Sequence, residues 1–192
     1  MKWPEIQAPD CHSVDAAKGW LDLGVPQEAQ AELDRLSFGL QNHPDVLVIR
    51  WKISARMLRW DQALELARSM VSNAPDWPAG HICLAHSLYN SQRAQEALTE
   101  LRSAANRFPR TGPIFYLLAR LAGHVGAEAE AKLWLGRWKD MADAGAAKNT
   151  VNQDPDPSPI WSDLGVCLSK PLAPPGSPED PGITGIFANN RC

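Results

Sequence analysis

Four residues that carry or accept a proton recur on a single stride: Lys18, Lys52, His86 and Arg120 stand 34 residues apart. Four positions further on come Asp22, Arg56, Asn90 and His124, one turn along the same face if these segments are helical. Tyr89 and Tyr116 lie close by. Ammonium, guanidinium, imidazole and amide groups gathered on one face hold carboxylates through charge-assisted hydrogen bonds. That is the chemistry of binding, not of bond breaking. A solvated helix face with long basic side chains has the same composition, and the pattern admits both readings.

No second constellation points to catalysis or to a metal. His81, Cys83 and His86 fall within six residues, but their offsets of 2 and 5 do not share a helical face, so no metal site is expected. The sequence contains no GxSxG, GxxxxGK[ST] or HExxH motif and no Gly-rich phosphate loop. Cys167 and Cys192 have no neighbouring His to activate them as nucleophiles. The four cysteines (Cys11, Cys83, Cys167, Cys192) are far apart and include no CxxC pair, which argues against a disulfide framework and fits reduced thiols. The expectation is a protein without catalysis, cofactor or metal.

Charge and hydropathy narrow the partners. The chain has 19 Lys and Arg against 22 Asp and Glu, with 17 of each sign in residues 1 to 149. Nothing there suits nucleic acid or an acidic membrane surface. No window approaches 18 unbroken apolar residues, and the start MKWPEIQAPD has no apolar core of a secretory signal. A soluble, cytoplasmic protein is expected.

The charged columns need elements to position them, and the stride supplies those. QALELARSMVSNAPD (residues 62 to 76) is followed 34 residues later by EALTELRSAANRFPR (residues 96 to 110). Anchored on Ala63 and Ala97, the stride also meets Ala29 and Ala131. Four residues on come Leu33, Ala67, Leu101 and Leu135, and seven on come Leu36, Met70, Ala104 and Trp138. Offsets of 4 and 7 place these residues on one face of an amphipathic helix. The alanine column suits a close approach of two helices, where bulk would overpack. Five residues before the alanines stand Gly24, Leu58, Gln92 and Gly126, two of them the glycine of a tight turn. Pro44, Pro75 and Pro109 are expected to stop the second helix of their units, Pro44 three residues late, so that its helix runs almost a turn longer. Asp45, Asp76 and Thr111 are placed to cap the helices that follow. Each unit reads as helix, turn, helix, with too small an apolar face to be buried alone.

This pattern resembles the tetratricopeptide repeat (TPR) family, whose 34-residue unit keeps small residues, glycine and proline in these columns. The resemblance covers residues 10 to 145, with units 10–43, 44–77, 78–111 and 112–145. It implies an all-α, right-handed solenoid of about four hairpins. One column departs from the family, reading Ala17, Trp51, Ala85 and Ala119 where Gly or Ala is usual. The resemblance also implies that the first helix of each unit lines a concave groove. Lys18, Lys52, Arg56, His86, Tyr89, Asn90, Tyr116, Arg120 and His124 are then the groove residues. Two TPR families hold a peptide's terminal carboxylate with Lys, Arg and Asn in such columns. This chain is similar in chemistry, with Lys and His where those clamps have asparagine. The expected function is a non-catalytic scaffold for a peptide or partner protein, an acidic one if the groove cations act. The alternative is an accessory subunit of an enzyme complex whose catalytic chain is separate.

After residue 150 the composition changes. Eight of the 16 prolines lie in residues 155 to 181, which reads as a mostly irregular tail. One island, SPIWSDLGVCLSK at residues 158 to 170, places Ile160, Trp161, Leu164, Cys167 and Leu168 at helical spacing. Three readings follow: a short capping helix at 159–168 that seats Trp161 and Leu164 near Trp134 and Trp138 of the last array helix, an acidic tail (Asp154, Asp156, Asp163) that occupies the basic groove, or a passive linker.

Overall fold

The structure is a computed structural model and describes residue 3 and residues 5 to 141. Among these the chain forms eight α-helices and no strand. Four helices, α1 (Asp10–Asp22), α3 (Pro44–Arg56), α5 (Pro78–Asn90) and α7 (Gly112–His124), start 34 residues apart. Between them lie α2 (Pro26–Asp34), α4 (Trp60–Asn73), α6 (Ala94–Arg107) and α8 (Glu128–Met141), whose starts keep the same stride. The tail, with its island at 158–170 and the expected helix at 159–168, lies outside the described residues.

The chain divides within α5 into two compact units, one up to Ser87 and one from Leu88 onward. In the first unit α1 packs on α2 and α3 on α4, and α3 also touches α1 and α2. In the second, α7 packs against both α6 and α8. The alanine column explains how the helices come so close: Ala29, Ala63, Ala97 and Ala131 are all fully buried, at 0% exposure. Gly80, in the first turn of α5, has the same role against α4. A Cβ there would lie 3.3 Å from Met70 Cβ and 3.4 Å from the Met70 carbonyl carbon.

The turn column has a conformational cause. Gly24, Leu58, Gln92 and Gly126 all have positive φ, at 75°, 57°, 62° and 79°. At each of them two backbone hydrogen bonds close the preceding helix. Gly24 N–H donates to the Leu21 carbonyl and Val25 N–H to the Trp20 carbonyl, and the pattern recurs at Leu58–Arg59, Gln92–Arg93 and Gly126–Ala127. This is the Schellman arrangement, which satisfies the last carbonyls of the helix and suits glycine.

Three expectations are corrected. Pro44 does not stop a helix: it is the first residue of α3, where its missing N–H is no loss. Pro75 and Pro109 do follow helix ends, each two residues past Asn73 and Arg107, as expected of stops. The cap of α3 is His43, whose Nδ1 accepts from the Asp45 N–H at 3.3 Å, and Thr111 caps α7 without a side-chain bond. Nor is α2 longer than its counterparts. It ends at Asp34, and a 3-10 turn at Phe38–Leu40 follows. The cause is tertiary: the Asp10 carboxylate accepts from Ser37 N–H at 3.0 Å and Ser37 Oγ at 2.8 Å, holding Ser37 extended.

Candidate functional site

In the first unit the cationic columns come together. Lys18 and Asp22 lie on α1, Lys52 and Arg56 on α3, and Lys52 interacts electrostatically with all three of the others. Lys18 also pairs with Asp15 at 3.0 Å, with both partners exposed. Lys52 and Arg56 are half-buried. Burial holds the Lys52 ammonium below its usual pKa, and Arg56 and Lys18 push the same way, while Asp22 opposes them. The Cys83 thiol lies near enough to favour the ammonium if ionised, but burial pushes that thiol well above its ordinary value. At neutral pH the thiol therefore brings Lys52 no countercharge.

His86 is placed differently. It is 2% exposed and meets Trp51 edge to face, with ring centroids 6.1 Å apart. Trp51 itself, in the column that elsewhere holds alanine, is 1% exposed. Its indole Nε1 donates to Ser87 Oγ at 2.8 Å, and Ser87 Oγ donates to the Cys83 carbonyl at 2.9 Å. A large ring is tolerated there because its one polar atom finds a partner. In this structure His86 is a packing residue and presents no free edge to a ligand.

The second unit carries rings where the first carries charge. Tyr89 and Asn90 end α5, both half-buried, and Tyr116, Arg120 and His124 lie one turn apart on α7. Tyr89 and His124 have centroids 5.4 Å apart, and the Arg120 guanidinium carbon lies 5.9 Å from the Tyr89 ring centre. That distance is at the limit of a cation–π contact. Tyr116 packs on Trp138 at 5.3 Å. Arg120 and Tyr116 are only 5% and 6% exposed, whereas His124 is exposed. The ring contacts of Trp138 with Tyr116 and of Trp51 with His86 had no signal in the charged columns. They were readable only as tryptophans at helical, inward-facing positions.

Among the described residues no group of three or more His, Cys, Asp or Glu could hold a metal ion, and no helix is long and apolar enough to cross a membrane. The described residues thus form an α-hairpin repeat protein of TPR-like fold. The comparisons agree. The structure is similar to that of a thermophilic TPR protein from Thermus thermophilus, with a TM-score of 0.64 and 16% identity, covering 81% of this chain and 83% of that one. No family model matches the sequence, and no curated protein matches it.

Proposed function

We propose that the protein is a non-catalytic binding scaffold that takes an acidic peptide or an acidic segment of a partner protein on the α1 and α3 face of its first unit. The observation that carries this reading is the Lys18, Lys52 and Arg56 cluster, in which Asp15 pairs with Lys18 and Asp22 lies near Lys52, with the central ammonium partly desolvated. A bound carboxylate would relieve the repulsion that depresses Lys52 and replace part of its lost hydration. Within the first unit His86 packs on Trp51 of α3, the helix that presents Lys52 and Arg56. The fold of the Thermus thermophilus protein is compatible with such a scaffold.

The test uses the full chain and a fluorescent ten-residue peptide rich in Asp and Glu, with a neutral peptide of equal length as control. Binding of the acidic peptide alone is expected, weakening as salt rises. The double variant Lys52→Gln and Arg56→Gln is expected to lose it while keeping wild-type helicity. Equal binding of both peptides, or undiminished binding by the double variant, would overturn the reading.

A further inference from the structure

Large apolar side chains are exposed on the helix-joining turns of the first unit and not on those of the second. Leu23, directly after α1, is 73% exposed, and Leu58, just after α3, is 50% exposed. The second unit has Ser91 and half-buried Val125 in the column of Leu23, and Gln92 and Gly126 in that of Leu58. Leu58 is also strained. Its φ of 57° lies in the left-handed region, which suits glycine and crowds a bulky side chain. Gly24 and Gly126 make the same turn without strain, and Gln92, the other side chain held there, is polar. Full burial within its own chain does not offset the strain at Leu58, and strain kept at a surface points to a use there.

The two turns lie side by side. Helix α3 touches both α1 and α2, Lys52 on α3 senses Lys18 and Asp22 on α1, and half-buried Trp20 and Met57, one beside each turn, pack against the same core cluster. Their charges are opposed. Residues 22 to 28 carry exposed Asp22 and Glu28 and no base, whereas residues 56 to 62 carry Arg56 and exposed Arg59 against one acid, Asp61. Arg59 has no acid three residues on to hold it. In the next turn of this kind Arg93 grips Glu96 with bonds of 2.7 and 2.6 Å. The column of Glu96 holds Gln62 in the earlier turn, and its amide oxygen accepts from Ser54 Oγ at 3.3 Å.

We propose that the paired turns, residues 22–25 and 57–60, form a self-complementary surface on which a second copy of this chain docks about a two-fold axis. Such an axis lays the first turn of each copy on the second turn of the other. Leu23 then meets Leu58 of the second copy and Asp22 meets its Arg59, each contact made twice. A second copy fits this edge because each turn needs what its neighbour offers, acid against base and leucine against leucine. Two turns make a contact of the small, transient class, so association is expected at roughly micromolar to millimolar chain. The inference rests on the turns and stands whether or not a ligand binds at Lys52.

Sedimentation of the full chain across that concentration range, under reducing conditions, tests the proposal. Wild type is expected to pass from monomer towards dimer as concentration rises. Leu58→Gly, which removes the strain along with the side chain, and Leu23→Asp should each stay monomeric where half of the wild type is dimer, with wild-type helicity. Charge exchange tests the two-fold arrangement. Asp22→Arg and Arg59→Asp each set like charges at both contacts, and either alone should associate at least about tenfold more weakly. Mixed one to one, the two variants set opposite charges at both contacts and should recover wild-type association. A wild type that stays monomeric throughout, association of Leu58→Gly and Leu23→Asp equal to that of wild type, or a mixture no stronger than its parts would each overturn the proposal. The first of these would leave the edge to a different partner.

Discussion

At the scale of single residues, two hydrogen-bonded groups carry measurable consequences. Arg102 grips Glu130 with two bonds, Nε to Oε1 at 2.8 Å and Nη2 to Oε2 at 2.6 Å, and Trp134 Nε1 adds a third at 3.1 Å. The bonds from Arg102 hold the Glu130 carboxyl below its usual pKa against an opposing effect of burial. A depressed carboxyl contributes stability that is complete above the unfolded value, about 4.3, and is lost as pH falls through the folded one. The advantage of wild type over Glu130→Gln should thus be constant from pH 6 to 8 and shrink below about 4.3, as read from urea midpoints. Its size is at most about 1 kcal/mol, because Arg102 is 45% exposed and solvent screens the pair. At Trp51 the stakes are internal. Trp51→Phe removes the donor to Ser87 Oγ, and a loss of about 0.5–1.5 kcal/mol is expected beyond any packing change. Denaturant titration at neutral pH checks this.

At the scale of elements, the turn column and the alanine column make opposite predictions. Leu58 and Gln92 occupy a left-handed conformation that Gly24 and Gly126 adopt without strain. Leu58→Gly and Gln92→Gly should each relieve roughly 1–2 kcal/mol of strain, offset by about 0.5–1 kcal/mol of added backbone entropy in the unfolded chain. A modest rise in thermal midpoint is expected, clearer for Gln92, since Leu58 still covers some surface at 50% exposure. Ala97→Leu adds bulk at a site with 0% exposure and should cost about 1–3 kcal/mol. An unchanged midpoint would remove the packing role of that column. The stride, the helix-turn-helix unit and the alanine contacts were legible in the sequence because each depends on local period. The cut-short α2 was not, because the Asp10 carboxylate that holds Ser37 comes from 27 residues away. Pro44 was misread because a proline after a helix and a proline opening the next one look alike in sequence. Of the site, the Lys18, Lys52 and Arg56 cluster followed from register alone. The burial of His86 did not, since it depends on a tryptophan arriving from another helix.

At the scale of the whole molecule, charge is balanced in bulk and uneven in place. Residues 1 to 149 carry 17 acids and 17 bases, leaving the net charge of −3 to the remainder. No long-range field therefore steers an acidic ligand, and attraction arises only within about a Debye length of the cluster, roughly 10 Å at 0.1 M salt. Between about 0.05 and 0.5 M salt, acidic-peptide affinity should fall by on the order of tenfold, far less than the drop expected of a duplex nucleic-acid binder. Fluorescence anisotropy across that range checks the slope, and the Lys52→Gln and Arg56→Gln variant should flatten it. The thiol of Cys83 bears on the same region in another way. Sealed at 0% exposure and held protonated by burial, it is closed to alkylating reagents for as long as α3 and α5 stay together. Half-buried Cys11 supplies an internal reference on the same chain. The rate at which Cys83 is labelled therefore acts as a clock, counting how often the first unit breathes open and whether a ligand on Lys52 slows the ticking.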